Sequence, residues 1–161
     1  AGILRLRGLK IYTSANKGVY INGTCHAYMN VTEIKSAAGI AVEINSYSPA
    51  EGRITIENCH AIGSTTTAGN GAFVIGRSVV SYVDIINSEI VNLGASANSH
   101  GLLLGGISSV ILSGASIIKT HASAYPVHYA SGTFDIPIKR PCWQNAESPT
   151  INYFGQMLTA I

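Results

Sequence analysis

Apolar residues alternate with polar ones inside short segments of this chain, and the segments themselves recur. LRLRGLKI (4–11), MNVTEIKS (29–36), ITIENCHA (54–61), VDIINSEI (83–90) and VILSGASI (110–117) align without a gap, each with apolar residues at its first and third positions. Their starts are 25 to 29 residues apart. A second set, GVYI (18–21), GIAV (39–42), GAFV (71–74), GLLL (101–104) and PVHY (126–129), follows at similar phase. Strict alternation predicts strands, and a repeat of about 20 to 50 residues predicts a solenoid.

Two short strands per repeat, recurring in one direction with no helical periodicity between them, cannot close as hairpins and must pair coil upon coil. The expected fold is all-β: a single-stranded right-handed parallel β-helix of about five to six coils over residues 1–137, with a cap or interface segment over 138–161. At about 4.8 Å per coil the rod is roughly 25 to 30 Å long.

Alternation then assigns inside and outside, because a one-residue slip turns the whole set over. Leu4, Met29, Ile54, Val83 and Val110 are expected in one interior ladder, and Leu6, Val31, Ile56, Ile85 and Leu112 in the next. Val19, Ile40, Ala72, Leu102 and Val127 form a third, and Ile21, Val42, Val74 and Leu104 a fourth. Thr55, Glu57, Asp84 and Ile86 face outward. A turn column reads Gly8, Glu33, Asn58, Asn87 and Gly114, with Asn58 over Asn87 as a short asparagine ladder.

Insertions gather at Ser46–Gly52, Gly63–Asn70 and Leu93–His100, and in solenoids such insertions build the binding face. The repeat fades beyond Ile138, where Pro141, Trp143, Pro149, Tyr153 and Phe154 read as a cap over exposed strand edges.

Charged residues make up 11% of the 161 against a usual share of about 25%, so Ser, Thr, Asn, Gly and apolar groups must cover much of the surface. Such a surface suits sugars or subunit contacts. A net charge of +2 without a basic run argues against nucleic acid. The absence of any apolar run of about 18 residues argues against membrane insertion. Cys25, Cys59 and Cys142 are an odd set without a CxxC pair and read as buried thiols. Ala1-Gly2-Ile3-Leu4 opens without Met or a charged leader, which reads as a piece of a larger protein.

The pairing of G-h-x-h with an apolar-x-apolar-x-Asn-small-x-apolar strand, as in GAFV…VDIINSEI, resembles the pectin-lyase-like β-helix superfamily over roughly residues 3–136. It is similar in particular to bacteriophage tailspikes and capsule depolymerases. The resemblance implies a virion or extracellular location, a homotrimer, and a function in binding, or binding and depolymerising, bacterial surface polysaccharide during phage attachment. A polysaccharide lyase or glycoside hydrolase in its own right and a purely structural trimer module are the alternatives. The repeats carry shape rather than chemistry, so no catalytic motif transfers residue by residue.

Glycoside hydrolysis needs two carboxyl groups about 5 to 9.5 Å apart. Glu57 and Asp84, outward on adjacent coils two positions apart, are the first candidate pair. His60 and Glu89 are the second, in one outward column with Lys10 and Lys35 below and Ser116 above, where a carboxylate beside an imidazole sets up proton transfer. A solvated polar face is the ordinary alternative for both. His100 and His128 are further candidates. An outward column of Tyr20, Ala41, Phe73, Leu103 and His128 is the candidate surface for trimer packing, for stacking on sugar rings, or for cover by the tail. No metal ligand set, phosphate loop or cofactor motif is present in the sequence, so no metal and no cofactor are expected.

Overall fold

The computed structural model describes residues 2–23, 25–45, 53–67, 71–75, 80–105, 107–131, 134–135, 138–139, 142–144, 150–153 and 156–159. Strands come in threes, not twos. β1 (Gly2–Arg7), β2 (Lys10–Thr13) and β3 (Lys17–Asn22) make the first coil, and β4 (Cys25–Asn30), β5 (Glu33–Ser36) and β6 (Ile40–Asn45) the second. The third coil is β7 (Arg53–Glu57), β8 (His60–Gly63) and β9 (Gly71–Ile75), and the fourth β10 (Val80–Ile86), β11 (Glu89–Asn92) and β12 (His100–Gly105). β13 (Ile107–Ser113), β14 (Ser116–Lys119) and β15 (Val127–Ser131) complete the fifth.

Each of three parallel sheets takes one strand from every coil: β1-β4-β7-β10-β13, β2-β5-β8-β11-β14 and β3-β6-β9-β12-β15. The chain is a parallel β-solenoid of about four turns, with no helix among the described residues. The sheets hold five levels, so the first and last lie four steps apart, against the five to six coils expected. Among the described residues past Ser131, the short strands β16 (Phe134–Asp135), β17 (Ile138–Lys139) and β18 (Cys142–Gln144) extend the first two sheets, while β19 (Thr150–Tyr153) and β20 (Gln156–Thr159) pair antiparallel with each other. The tail's side chains, the Ser46–Gly52 insertion and the side chains of Val110 and Leu112 lie outside the described residues.

Each eight-residue fragment holds two strands because the chain bends sharply at its middle. Gly8, Asn58, Asn87 and Gly114 adopt left-handed φ values of 62°, 52°, 45° and 63°, a region that favours Gly and Asn. The bends stack: Asn87 N donates to Ser113 O at 2.8 Å, and Asn58 N to Ile86 O at 3.1 Å. A Cβ on Gly114 would lie 2.6 Å from Asn87 Oδ1, so the ladder ends on glycine. The second coil departs from the expected column. It turns through Val31 and Thr32, with Val31 buried in the core, and Glu33 instead opens β5.

That difference shifts the second coil by two residues. Ala27 pairs with both Leu4 and Ile54, and Met29 with Leu6 and Ile56, where Met29 was expected beside Leu4 and Ile54. A two-residue slip preserves the faces. Met29, Ile56 and Ile85 are fully buried in one cluster, with Leu6 packed against it. In the second sheet Ile34, Ala61, Ile90 and Ile117 supply the inner layer.

The third sheet breaks alternation at the entry to each strand, where two consecutive residues point inward at a corner. A Cβ on Gly18 would meet Ile34 Cγ2 at 2.7 Å and one on Gly101 would meet Ile117 Cγ2 at 2.4 Å, so only small residues fit. Ala41 and Ala72 hold this place in the second and third coils. The inner columns are therefore Val19, Val42, Phe73, Leu102, Val127 and Ile21, Ile44, Ile75, Leu104. Phe73, expected on the outside, lies in the main core at 1% exposure, and Ala41 is buried with it.

Candidate functional site

On the first sheet the register sets Asp84 opposite Thr55 and Glu57 opposite Ile86, so the two carboxylates sit diagonally on adjacent strands. Both alternate with buried Ile56 and Ile85, yet Asp84 is itself buried at 7% exposure. Glu57 Oε2 accepts a 2.7 Å hydrogen bond from the Tyr28 hydroxyl, and the Arg7 guanidinium lies 5.2 Å from the Tyr28 ring centre.

The second sheet places His60 between two carboxylates. Glu89 Oε2 lies 3.0 Å from Nε2 and Glu33 Oε2 lies 3.7 Å from Nδ1. The column runs Lys10, Glu33, His60, Glu89, Ser116; Lys35, expected beneath His60, pairs with Tyr12 and Ile62 in the neighbouring column. The Tyr12 hydroxyl bonded to Glu33 holds its carboxyl below the usual range, helped by His60, Lys10 and Lys35. The face is open, and these groups satisfy one another in an exposed alternating ladder of modest strength.

The third sheet presents two outward columns. One carries Lys17, Ile40, Gly71 and His100, and the other Tyr20, Glu43, Val74, Leu103 and His128. Glu43 and Val74 occupy the places expected for Ala41 and Phe73. Ile40, Val74 and Leu103 form a small apolar cluster that is already buried within the chain, which leaves Leu103 no free surface. At the far end three rings gather: His100 and His128 stack at 4.0 Å and 12°, and Tyr125 lies 5.5 Å from each. His100 Nδ1 accepts a hydrogen bond from Tyr125 N at 3.1 Å. Burial, and then the neighbouring His128, push the His100 imidazole down to about 4, and burial lowers His128 as well.

The near end holds a pocket of about 210 Å³ lined by Asn16, Lys17, Gly39, Glu43, Thr65 and Thr67, with Ala38 and Ile40 completing it. Its origin is a step in turn length. The turns entering the third sheet span 14–16 and 37–39 in the first two coils, but 64–70, 93–99 and 120–126 in the next three. The described part of the first long turn brings Thr65 and Thr67 beside the two short ones. Ile40 N donates to Asn16 O and Ser64 N to Gly39 O, both at 2.9 Å, which stacks the three levels. A Cβ on Gly39 would fall on Asn16 O, so this close approach requires glycine.

Inside the pocket Glu43 is the central group. Its side chain is 3% exposed, its Oε2 lies 3.0 Å from Lys17 Nζ, and its Oε1 accepts from Asn45 Nδ2 at 2.8 Å. Lys17 Nζ also sits 3.9 Å from the ring centre of half-exposed Tyr20. An ion pair, two threonines and a flanking aromatic ring suit an uncharged, hydroxyl-rich group. A second acid for paired-carboxylate chemistry is not among the lining residues.

No family model matches the chain, and neither curated proteins nor solved structures yield a match. The assignment therefore rests on geometry. Among the described residues no group of three or more His, Cys, Asp or Glu is placed to hold a metal ion. The Cys59 thiol is buried, and burial pushes it up to about 12, which leaves it unreactive. Lys17 and Glu43 were not among the residues singled out from the sequence, whereas Thr65 and Thr67 fall in the Gly63–Asn70 insertion expected on a binding face. The signal for them was present in the jump from three-residue to seven-residue turns.

Proposed function

We propose that the protein is a tailspike-like module that binds bacterial surface polysaccharide during phage attachment, with the glycan held against the third sheet. The pocket at the turn step carries this reading. Buried Glu43 offers acceptor oxygens to sugar hydroxyls, Lys17 and the threonines offer donors, and Tyr20 offers a ring face at the rim. At about 210 Å³ the pocket is smaller than the roughly 300 to 1,000 Å³ of sites for drug-sized ligands, which fits one unit of a long chain whose neighbours lie on the surface. The virion setting and the homotrimer come from the family resemblance alone, since Phe73 and Leu103 offer no exposed strip for subunit packing.

Electrophoresis through gels cast with purified capsular and O-antigen polysaccharides tests the reading. The wild-type chain should be retarded by at least one of them, and Glu43→Gln and Tyr20→Ala should migrate freely. Unretarded migration of the wild type in every gel overturns it.

Cleavage of a glycan lying on the first sheet, a different face from the pocket, is a second reading, favoured by the diagonal placement of Glu57 and Asp84. Diagonal neighbours stand about 7 to 8 Å apart in antiparallel sheets, and a similar reach here falls within the range for paired carboxylates. Release of reducing ends from the retarding polysaccharide, abolished in Glu57→Gln and Asp84→Asn, is the expected result. Release by the double variant at full rate removes this pair.

A further inference from the structure

We infer that Tyr125 and His128 form a second, ring-stacking sugar subsite at the far end of the same face, so that a bound glycan runs along the rod axis between it and the pocket. This rests on the polysaccharide reading of the pocket. His128 stands in the same outward column as Tyr20 and Glu43, four coils from Tyr20. At about 4.8 Å per coil that separation is roughly 19 Å, a span of several sugar units.

Three observations make the far end a platform rather than core packing. Tyr125 is 40% exposed and His128 partly exposed, while His100 beneath them is 4% exposed and acts as their floor. The outer rings are near-parallel at 18°, and the floor ring stacks on His128 at 12°. The assembly is also fixed, because His100 Nδ1 holds the Tyr125 backbone and Lys119 Nζ, itself buried, donates to Ala122 O in the same turn at 2.8 Å. Sugar rings stack their C–H faces on such a surface, and the phenol and imidazole edges remain for hydroxyls.

The charge on this face selects for a glycan over a nucleic acid strand, which also stacks on aromatic rings. Strand binding adds a basic groove to its stacking rings. Here the charge of Lys17 is balanced by Glu43, and the described outward columns from Val74 to His128 hold no lysine or arginine. Lowered imidazole basicity keeps the platform uncharged near neutral pH.

The test uses the full chain and the polysaccharide that retards it, cut by partial acid hydrolysis into disaccharide and octasaccharide fractions. Calorimetric titration should show Tyr125→Ala binding the octasaccharide about tenfold more weakly, as the loss of one stacked ring predicts, with disaccharide affinity unchanged. Tyr125→Phe, which keeps the ring, should match wild type on both. Equal octasaccharide affinity in Tyr125→Ala and wild type overturns this subsite and leaves the pocket standing. Failure of every polysaccharide to bind the wild type removes both.

Discussion

Lys17 and Glu43, on neighbouring coils, form an ion pair of 3.0 Å in which the lysine side chain is 35% exposed and the glutamate almost wholly buried. The asymmetry sets the cost of removing either partner. Lys17→Met leaves a buried carboxylate with its Asn45 amide but without its cation, and should destabilise the chain by about 1 to 3 kcal/mol. Glu43→Gln keeps the Asn45 contact and frees an ammonium that can reach water, so its loss should be smaller. Urea denaturation at neutral pH compares the two, and the order Lys17→Met worse than Glu43→Gln is the expected outcome.

Phe73 fills the inner column between Val42 and Leu102. Phe73→Ala should cost about 3 to 5 kcal/mol through the cavity it leaves, and Ile85→Ala about 2 to 5. Phe73→Asp should unfold the coil rather than release a subunit. Thermal melts separate these from Thr55→Ala, whose outward side chain should cost within about 0.5 kcal/mol.

Acid should weaken the fold through His100. Its imidazole sits at about 4 in the folded chain against 6.5 when free, so the unfolded state takes up the proton first as pH falls. The contribution of this group is present above 6.5 and is lost as pH falls from 6.5 towards about 4. His128 adds in the same direction. Denaturation midpoints of wild type and His100→Gln measured across that range should converge with acidification, because only the wild type pays the His100 term.

Gly39 lines the pocket and crosses directly over the Asn16 carbonyl. Gly39→Ala forces those two turns apart and should destabilise by more than about 1 kcal/mol while abolishing retardation in polysaccharide gels. A variant that is destabilised yet fully retarded would separate the glycine's structural role from the pocket.

The solenoid was legible because alternation survives in strands stacked one above another, and because Gly8, Asn58, Asn87 and Gly114 mark the bend in four coils. Met29 shows where legibility stops. Its shift from Ile54 to Ile56 keeps every face unchanged, so the pattern carried no trace of a second coil that turns through buried Val31. Phe73 was misplaced because a corner puts Ala72 and Phe73 inward together, a local break that a period of two cannot express. The His60–Glu89 contact was visible as a shared column, whereas Glu33 entered it only once the second coil was in register. Lys17 and Glu43 carried no motif, and their meeting follows from that same register.

The pocket exists because the turn at 37–39 is shorter than the turn at 64–70. What such a rod recognises is thus written partly in lengths rather than in residues: extending the short turn would fill the recess, and shortening the long one would unroof it, with every inner ladder untouched. Insertion and deletion at a single turn therefore offer a route to new surface recognition that leaves the folding of the coils alone.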